Sequence, residues 1–393
     1  MSAKRKFLIF LVTATITLFV FLTWQGLVRN PLSNAASFSL YHSNTEAGKA
    51  HQSSNRNSVN AQNGGKPFLR EIVGDTIAYA IAGVQASHIL RKPAFMKKKK
   101  VPSIEMMWEA GLVSDKVINP HDFEMSINEP KKCMNPDGSK KPVFLLVLVL
   151  STYKHTKLRT LVRDTWGSIT SVDGKNIITL FLLGRSHDPY PMQRLELESR
   201  EHGDLLMESF EDTYRNLSRK TIMGMKWAGK YCGHASYVMK TDDDMYVGYE
   251  SLIRHLAKPD TPSRNFMTGY RIDGGPFRNV SSKWYVPPSI YPFDMYPPFC
   301  SGSGYVLSGE LPQKIYEISL HTFYLYLEDV YLAMCLYQLE VEPTHHKGFN
   351  NFKVDFSVCK YRNIFTSHMP ISVAVKYKQW HQLRDPTSAD CLP

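Results

Sequence analysis

Several motifs that identify common classes of protein are absent from this sequence. The six cysteines include no CxxC pair, which argues against a zinc site. The glycine-rich phosphate loops of P-loop and Rossmann proteins are missing, so a phosphate-bearing ligand would have to be held in another way. There is no stripe of basic residues interleaved with aromatic ones, and we therefore expect no nucleic-acid partner despite the net charge of +11.

The N-terminus joins a short basic stretch to a long uncharged one. Residues 7–24, FLIFLVTATITLFVFLTW, carry no charge and approach the minimum length of a membrane-spanning helix. A cleaved signal peptide is the alternative, but it would have a shorter apolar core and a small-residue cleavage site. The positive charges at residues 4–6 favour a cytosolic tail at 1–6, a retained signal-anchor at 7–24 and a lumenal remainder.

The composition of the chain changes again near residue 133. Residues 30–66 are rich in Ser, Asn, Gln, Gly and Ala, and such a segment cannot bury enough apolar surface to fold. We assign residues 25–132 to a stem and linker, which includes a solvated run of lysines at 97–100. A globular domain is expected over residues 133–393.

The expected globular domain begins with a strand buried on both faces. Continuous apolar runs at 142–152 and 176–185 suit strands in the middle of a sheet, and helical patterns separate the strands that follow. This alternation predicts an α/β domain with a mostly parallel sheet. Ligands of such sheets bind at the carboxyl ends of the strands.

The cysteines and two sequons agree with a lumenal domain. An even number of cysteines behind a secretory-pathway anchor favours disulfides, with one or two free buried thiols as the alternative. Six cysteines allow about 15 pairings, and the sequence does not choose among them. The triplets NLS at Asn216 and NVS at Asn279 are predicted glycosylation sites, although such triplets also arise by chance.

One strand runs directly into three aspartates, in YVMKTDDDMYV. Because side chains alternate along a strand, Asp242 and Asp244 fall on one side and Asp243 on the other. Two carboxylates on one side offer oxygen ligands to Mg²⁺ or Mn²⁺, whose remaining positions phosphate oxygens can fill. A solvated acidic turn is the alternative, but the apolar strand immediately before the aspartates favours the metal site.

A second acidic pair precedes a helical stretch in YLEDVYLAMCL. Glu328 and Asp329 suit the N-terminus of a helix, so a capping role competes with that of a general base. Between the two acidic motifs lies YPPFCSGSGYVLS, residues 296–308. Its Pro, Gly and Ser residues with flanking aromatics predict either the lining of a sugar pocket or a turn.

Six motifs together resemble one family. In chain order they are RDTWG, FLLG, FEDTYRNLSRKT, MKTDDDMYV, YPPFCSGSGYVLS and LEDVYLAMCL. In this order, behind a type II anchor, the chain resembles the Golgi β1,3-galactosyltransferases and β1,3-N-acetylglucosaminyltransferases from about residue 118 onward. The resemblance implies a GT-A-like nucleotide-sugar-binding domain, a UDP-sugar donor, inversion at the anomeric carbon and Mn²⁺ as the cofactor, with Mg²⁺ as the alternative.

The resemblance also implies roles for individual residues. Asp329 matches the catalytic base, and the expected metal ligands are Asp242, Asp244 and His368. The residues expected to bind the donor are Arg163, Trp166, Lys240, Asp242 and Asp243. The residues expected to line an acceptor or sugar pocket are Trp284, Tyr285, Gly302 and Glu328.

The implied reaction is transfer of galactose to the 3-hydroxyl of an acceptor glycan on a glycoprotein or glycolipid. UDP-N-acetylglucosamine is the alternative donor, because the two sugars differ only at C2 and C4. A non-catalytic, metal-dependent glycan-binding ectodomain is a rival interpretation, and a metal-dependent phosphohydrolase is another. The hydrolase usually needs a further cluster of His and Asp ligands, which the sequence does not offer. The expected location is the Golgi membrane, with a single type II span.

Overall fold

The computed structural model describes residues 100–370 and 372–387. The predicted cytosolic tail, the signal-anchor at 7–24 and the stem up to residue 99 therefore lie outside the described residues. Within the described part of the chain, no helix has the length and apolar character needed to cross a bilayer.

The described residues form strands and helices that alternate through the first half of the domain. The strands are β1 Met125–Ile127, β2 Leu145–Leu150, β3 Ser171–Val172, β4 Lys175–Arg185, β5 Leu205–Glu211, β6 Tyr237–Asp242, β7 Met245–Val247, β8 Met267–Ile272, β9 Phe299–Ser308, β10 Thr344–His345 and β11 Thr366–His368. The α-helices are α1 Ile104–Glu109, α2 Thr156–Asp164, α3 Pro189–His202, α4 Leu217–Cys232, α5 Tyr249–Leu256, α6 Leu311–Ser319, α7 Glu328–Gln338, α8 Val358–Asn363 and α9 Val373–Arg384. Single 3₁₀ turns occupy Trp166–Ser168 and Tyr214–Asn216.

Nine strands form one mixed sheet in the order β1-β5-β4-β2-β6-β9-β8-β10, with β3 paired to β4. The four neighbours β5, β4, β2 and β6 are parallel, as predicted. The prediction of a mostly parallel sheet is nevertheless wrong for β9, which runs antiparallel to both β6 and β8, and for the edge strand β1, which runs antiparallel to β5. Apolar runs reveal that a strand is buried but not its direction, so this reversal left no signal in the sequence.

The central strand β2 shows why the parallel half could be predicted. Every residue of LLVLVL is buried, and the strand pairs with β4 on one side and β6 on the other. Its side chains alternate between two apolar clusters on the two faces of the sheet, with Leu145, Val147 and Val149 in one and Leu146, Leu148 and Leu150 in the other. Helix α4 packs closely on the second face, since a Cβ at Gly224 would lie 2.6 Å from Leu182 Cδ1.

The folded unit begins before Cys133. Residues 104–132, which were expected to belong to the stem and linker, contribute α1 and β1, and β1 pairs antiparallel with β5. Met107 is fully buried and packs in a cluster with residues of α6 and α7. The two elements in this segment are only six and three residues long, too short to show a clear period, which explains why the sequence did not reveal them.

A disulfide closes the first half of the domain. Cys133 and Cys232 are bonded, which ties the entry to β2 to the end of α4. Cys300 and Cys335 are free buried thiols, and burial raises the pKa of each to about 12. Cys359 is also disulfide-bonded. The described cysteines therefore include both the disulfide expected from the sequence and the two free thiols of its alternative.

Candidate active site

The three aspartates form a tight turn at the carboxyl end of the parallel strands. Strand β6 ends at Asp242 and β7 begins at Met245, so Asp243 and Asp244 occupy the turn between them. The side chain of Asp244 is 54% exposed and that of Asp242 is 37% exposed. These two carboxylates can therefore meet a ligand from solvent.

Asp243 is the buried member of the three. Its Oδ2 atom lies 2.9 Å from Nδ1 of His155, and this hydrogen bond raises the pKa of His155. Trp166 is fully buried, and its Nε1 donates to the carbonyl oxygen of Met245 at 2.9 Å. Asp243 and Trp166, both expected to contact the donor, therefore anchor the turn from within the protein.

His368 reaches the same turn from a distant part of the chain. Strand β11 pairs antiparallel with β7, with His368 opposite Met245, and His368 Nδ1 lies 3.9 Å from Asp244 Oδ2. Partial desolvation and the neighbouring carboxylate of Asp242 raise the pKa of Asp244. A cation at this position would relieve that repulsion.

The donor set fits a divalent metal that shares its coordination with a substrate. Through residues 100–370 and 372–387, no three His, Cys, Asp or Glu side chains are arranged to hold a metal by themselves. Asp244 and His368 form a pair of one carboxylate and one imidazole. Ions such as Mg²⁺ are commonly bound by one or two protein carboxylates plus substrate phosphates, so the small number of protein ligands agrees with a metal bound together with a diphosphate.

Lys240 links the acidic turn to the second acidic motif. Its buried Nζ lies 2.8 Å from Asp242 Oδ1 and 3.3 Å from Glu328 Oε2, and it donates to the carbonyl oxygen of Gly302 at 2.5 Å. Burial opposes the charge on the lysine, but the carboxylates of Asp242 and Glu328 outweigh burial and raise the pKa of Lys240. The ammonium group is thus fully engaged inside the protein.

Glu328 and Asp329 begin α7 and serve different purposes. Glu328 is buried and accepts a hydrogen bond from the hydroxyl of Tyr305 at 2.6 Å. Asp329 Oδ1 accepts from the amide of Val330 at 2.9 Å, and its Oδ2 accepts from the amide of Gly302 at 3.3 Å. Asp329 therefore bonds to an amide in the first turn of its own helix, although the N-cap residue is Leu327 and makes no side-chain cap hydrogen bond.

The electrostatics of Asp329 also suit a general base. Burial and the carboxylate of Glu328 raise the pKa of Asp329 to about 6, against the opposing effects of Val330, Lys240 and Gly302. A carboxylate with a pKa near the ambient pH is matched to accepting a proton from an alcohol. A place in the first turn of α7 and a role as a base are therefore compatible in this one side chain.

Gly302 has no side chain, which allows Glu328, Lys240 and Asp329 to come close together. Strand β9 lies beside β6 with Gly304 opposite Thr241, which places Gly302 next to the acidic turn. A Cβ at Gly302 would lie 2.9 Å from Glu328 Oε2 and 3.5 Å from Lys240 Nζ. Most of the segment 296–308, predicted to be a pocket lining or a turn, is thus the strand Phe299–Ser308, whose Gly302 borders the site.

Comparison with known proteins identifies the family. The Galactosyltransferase family model matches residues 157–347, which include the acidic turn, Gly302 and Asp329. β-1,3-Galactosyltransferase 1 of Homo sapiens is 44% identical over 282 residues, which cover 72% of this chain and 85% of the relative. The chain belongs to the β1,3-galactosyltransferase family. β-1,3-Galactosyltransferase 2 of Homo sapiens is 43% identical over 274 residues, which cover 68% of this chain and 63% of the relative.

The family assignment comes from these sequence relatives. As a member of the β1,3-galactosyltransferase family, the protein is a hexosyltransferase enzyme. Among solved structures, the galactosyltransferase LgtC in complex with donor and acceptor sugar analogs matches with a TM-score of 0.32 and 12% identity. That match covers 62% of this chain and 97% of LgtC.

Arg163, of the family motif RDTWG, lies apart from the acidic turn. Its guanidinium donates to Asp204 and to Glu198, each at 2.8 Å. It lines a cavity of about 480 Å³ together with residues at the amino ends of β2 and β4. The aspartates follow the carboxyl end of β6, so the structure does not bring Arg163 to them.

The predicted acceptor residues Trp284 and Tyr285 lie in the loop between β8 and β9. The side chain of Trp284 is 43% exposed, and the carbonyl oxygen of Tyr285 accepts a hydrogen bond from the hydroxyl of Tyr326. Tyr326 immediately precedes Leu327 and the start of α7. This contact holds the loop against the segment that carries Asp329.

The two sequons differ in exposure. Asn216 is half-buried, and its Nδ2 donates to the carbonyl oxygen of Glu211 at 2.8 Å. Ser218, the third residue of that sequon, is fully buried. Asn279 is exposed, and its Oδ1 accepts from the amide of Ser281 at 3.0 Å. The surroundings of Asn279 leave more room for a glycan than those of Asn216.

Sequence reasoning missed three side chains that shape this site. They are His155, which pairs with Asp243; Tyr305, which pairs with Glu328; and Tyr214, an exposed ring near Asp329. Tyr214 and Tyr305 each lie within one of the family motifs, at positions to which no role was given. His155 is too far from Asp243 in the sequence for any local pattern to connect them.

Proposed function

We propose that this protein transfers galactose from UDP-galactose to the 3-hydroxyl of an acceptor glycan, with inversion, to form a β1,3 linkage on a glycoprotein or glycolipid. The observation that carries the proposal is Asp329, a carboxylate with a raised pKa beside the acidic turn. The relatives named β-1,3-galactosyltransferases favour galactose over N-acetylglucosamine as the donor sugar and favour the β1,3 linkage.

In the proposed mechanism Asp329 is the base. It takes the proton of the acceptor 3-hydroxyl while that oxygen forms a bond to the anomeric carbon. The bond from the anomeric carbon to UDP breaks, and UDP leaves with its electron pair. Glu328 is a poorer candidate for this role because it is buried and already paired with Lys240 and Tyr305.

The same proposal includes a metal, with Mn²⁺ preferred and Mg²⁺ as the alternative. Asp244 and His368 would hold it, and Asp242 would contact the metal or the ribose of the donor. A bound divalent cation stabilises the negative charge that develops on a diphosphate leaving group. Lys240 fixes the orientation of Asp242 through the 2.8 Å ion pair, so the protein presents that carboxylate already ordered.

We also propose that the enzyme is a single-pass type II protein of the Golgi membrane with a lumenal catalytic domain. The Cys133–Cys232 disulfide supports this location, because disulfides persist in oxidising compartments. The exposed sequon at Asn279 agrees with it as well.

A UDP-release assay tests the proposed function. The full-length protein in detergent is supplied with Mn²⁺ and either UDP-galactose or UDP-N-acetylglucosamine, together with acceptors that end in different sugars. We expect release that requires an acceptor, prefers UDP-galactose and stops when EDTA removes the metal. Release that ignores the acceptor would instead identify a hydrolase. Binding of UDP and Mn²⁺ without release from any donor and acceptor would favour a non-catalytic glycan-binding protein.

A further inference from the structure

Three large aromatic rings are exposed close to the proposed base. Phe277 and Trp284 lie on the loop between β8 and β9 and are 54% and 43% exposed. Their ring centroids are 5.4 Å apart, and the ring planes are inclined by 40°. Tyr214, on the 3₁₀ turn before α4, is 47% exposed. We call these three rings, Tyr214, Phe277 and Trp284, the aromatic platform.

The loop that carries two of these rings is held firmly from within. The guanidinium of Arg278 donates to the carbonyl oxygens of Val286 and Tyr291, each at 2.7 Å, and to that of Phe293 at 3.0 Å. The amide of Val286 donates to the carbonyl oxygen of Phe277 at 3.0 Å. Because the loop is fixed in this way, its apolar rings stay exposed to water. A group of exposed apolar side chains is typical of a binding surface.

The platform lies next to the segment that carries Asp329. The hydroxyl of Tyr326 donates to the carbonyl oxygen of Tyr285, which connects the loop to the residues just before α7. The guanidinium of Arg215 lies 4.8 Å from the centre of the Tyr326 ring, which connects the turn of Tyr214 to the same residue. The loop, the turn and the start of α7 therefore meet at Tyr326.

Tyr214 lies within electrostatic reach of the proposed base. Burial is the largest cause that raises the pKa of Tyr214, and the carboxylate of Asp329 is the next. The neighbouring indole of Trp284 opposes the shift. Tyr214 therefore lies near enough to both Trp284 and Asp329 to interact with each.

We propose that the aromatic platform binds a second sugar ring of the acceptor, adjacent to the ring whose 3-hydroxyl reacts at Asp329. The inference rests on the proposed transferase function and adds to it the length of the acceptor. A pyranose has an apolar face of C–H groups with hydroxyls at its edge. Flat aromatic rings surrounded by a few polar groups suit such a ligand, and here the polar groups are the Tyr214 hydroxyl and the Lys283 ammonium, which lies 4.6 Å from the Trp284 ring centre.

The size of the platform favours a sugar over a protein partner. A stable protein interface buries about 800 Å² on each side, far more than three partly exposed rings can supply. A lipid tail would gain nothing from the Tyr214 hydroxyl or from Lys283. The platform instead matches one or two sugar rings in size and in its mixture of apolar and polar groups.

A comparison of acceptor lengths tests the platform. Galactose transfer by the full-length protein is measured with a monosaccharide acceptor and with a disaccharide that ends in the same sugar. For Trp284→Ala and Phe277→Ala we expect the KM of the disaccharide to rise about tenfold, equivalent to about 1.4 kcal/mol. In Phe277→Ala, which lies outside the predicted acceptor pocket, the monosaccharide KM, the donor KM and kcat should change less than about twofold. Val280→Ala is the matched control, because Val280 is 76% exposed on the same loop and lies outside the platform.

Three further results test whether the aromatic platform binds the second sugar ring. Trp284→Phe, which keeps a flat ring, should retain most of the disaccharide preference, whereas a loss equal to that of Trp284→Ala would overturn the platform. If Trp284→Ala weakens only acceptors with an octyl aglycone and spares the plain disaccharide, the platform binds lipid and the proposal is wrong. Calorimetric binding of the disaccharide in the presence of UDP and Mn²⁺ is a readout independent of turnover. If wild type and Trp284→Ala bind it equally, the platform is overturned even where the transferase function itself fails.

Discussion

Lys240 and Glu328 form a buried ion pair, with Nζ 3.3 Å from Oε2 and both side chains at most 5% exposed. The lysine belongs to the strand that ends in the acidic turn, and the glutamate begins the helix that carries Asp329. A change of charge at Lys240 or at Glu328 therefore acts on both the acidic turn and Asp329. Breaking one partner of a buried pair commonly costs about 3–5 kcal/mol, so the pair also fixes the two elements together.

Replacement of the proposed base should separate activity from stability. In Asp329→Asn we expect galactose transfer to fall about 10²- to 10⁴-fold, the usual contribution of general base catalysis, while binding of UDP and Mn²⁺ persists. The measurements are kcat for transfer and calorimetric titration of UDP with Mn²⁺. Near-normal turnover in this variant would remove Asp329 from the mechanism.

The same variant should unfold at a higher temperature than the wild type at neutral pH. The folded carboxyl holds its proton up to about pH 6, whereas an unfolded aspartate releases it near pH 4. The wild type therefore loses stability as pH rises through that window, and the asparagine variant does not. A full shift of this size corresponds to about 3 kcal/mol, and because the side chain is partly exposed, we expect about 1–2 kcal/mol. Thermal unfolding at pH 4 and pH 7.5 checks this, with the two proteins differing only at the higher pH.

The pH dependence of transfer should move in opposite directions in two variants. For the wild type we expect kcat/KM to rise with pH through an apparent pKa of about 6, because Asp329 must be unprotonated to act. Glu328→Gln removes a carboxylate that raises the pKa of Asp329, so this limb should move to lower pH. Lys240→Met removes an ammonium group that lowers the pKa of Asp329, so the rise of kcat/KM should move to higher pH.

A remote charge change serves as the control for these pH profiles. Glu201 is 75% exposed on α3, and Glu201→Gln should leave the profile of the wild type unchanged. Shifts of Glu328→Gln and Lys240→Met in the same direction would show that the limb does not report the ionisation of Asp329.

A single methyl group at Gly302 should disrupt the site. In Gly302→Ala the new Cβ would lie 2.9 Å from Glu328 Oε2, and that carboxylate is held by Tyr305 and Lys240. We expect a loss of about 1–3 kcal/mol of stability, as for other overpacked positions, and a fall in kcat of at least about tenfold. Gly274→Ala is the control, because its Cβ would meet only Ile272 Cγ2 at an ordinary 3.6 Å. Equal behaviour of the two variants in activity and thermal unfolding would contradict the geometry.

Removal of the exposed carboxylate should weaken the metal and the donor together. Asp244→Ala should raise the Mn²⁺ concentration needed for half-maximal transfer and the KM of UDP-galactose, each by at least about tenfold. The expected cause is the loss of a direct ligand, since Asp244 lies beside His368 with half of its side chain in solvent. The fold should be unaffected, and thermal unfolding without metal verifies this. Mn²⁺-dependent binding of UDP that equals the wild type would show that Asp244 is not a metal ligand.

The sequence predicted best what depends on continuous burial. Strand β2 is apolar throughout, so its place in the centre of a parallel sheet and the position of the aspartates at the carboxyl edge followed from general rules. The direction of β9 did not follow, because a strand of small residues such as CSGSG resembles a turn in sequence. The fold of residues 104–132 was missed because its two elements are only six and three residues long, too short to show a period.

Pairings between distant side chains were the other part that the sequence could not supply. Lys240 was expected to contact the donor, yet its ammonium group is taken up by Asp242 and Glu328. A local motif does not distinguish a lysine that faces solvent from one that forms an ion pair with a residue of a distant element. The donor-binding roles given to Lys240 and Arg163 therefore remain predictions, and the variants above are the means to examine the first.

The ribbon of β7 and β11 makes the acidic turn depend on a part of the chain outside the family match. The match ends at residue 347, whereas β11 begins at Thr366 and the amide of Met369 donates to the carbonyl oxygen of Asp244 at 3.0 Å. A transcript that terminated soon after codon 347 would still encode every motif by which the family is recognised. Its product would lack both His368 and the strand that flanks the acidic turn. A gene identified by these motifs alone can therefore encode a protein without a complete acidic turn.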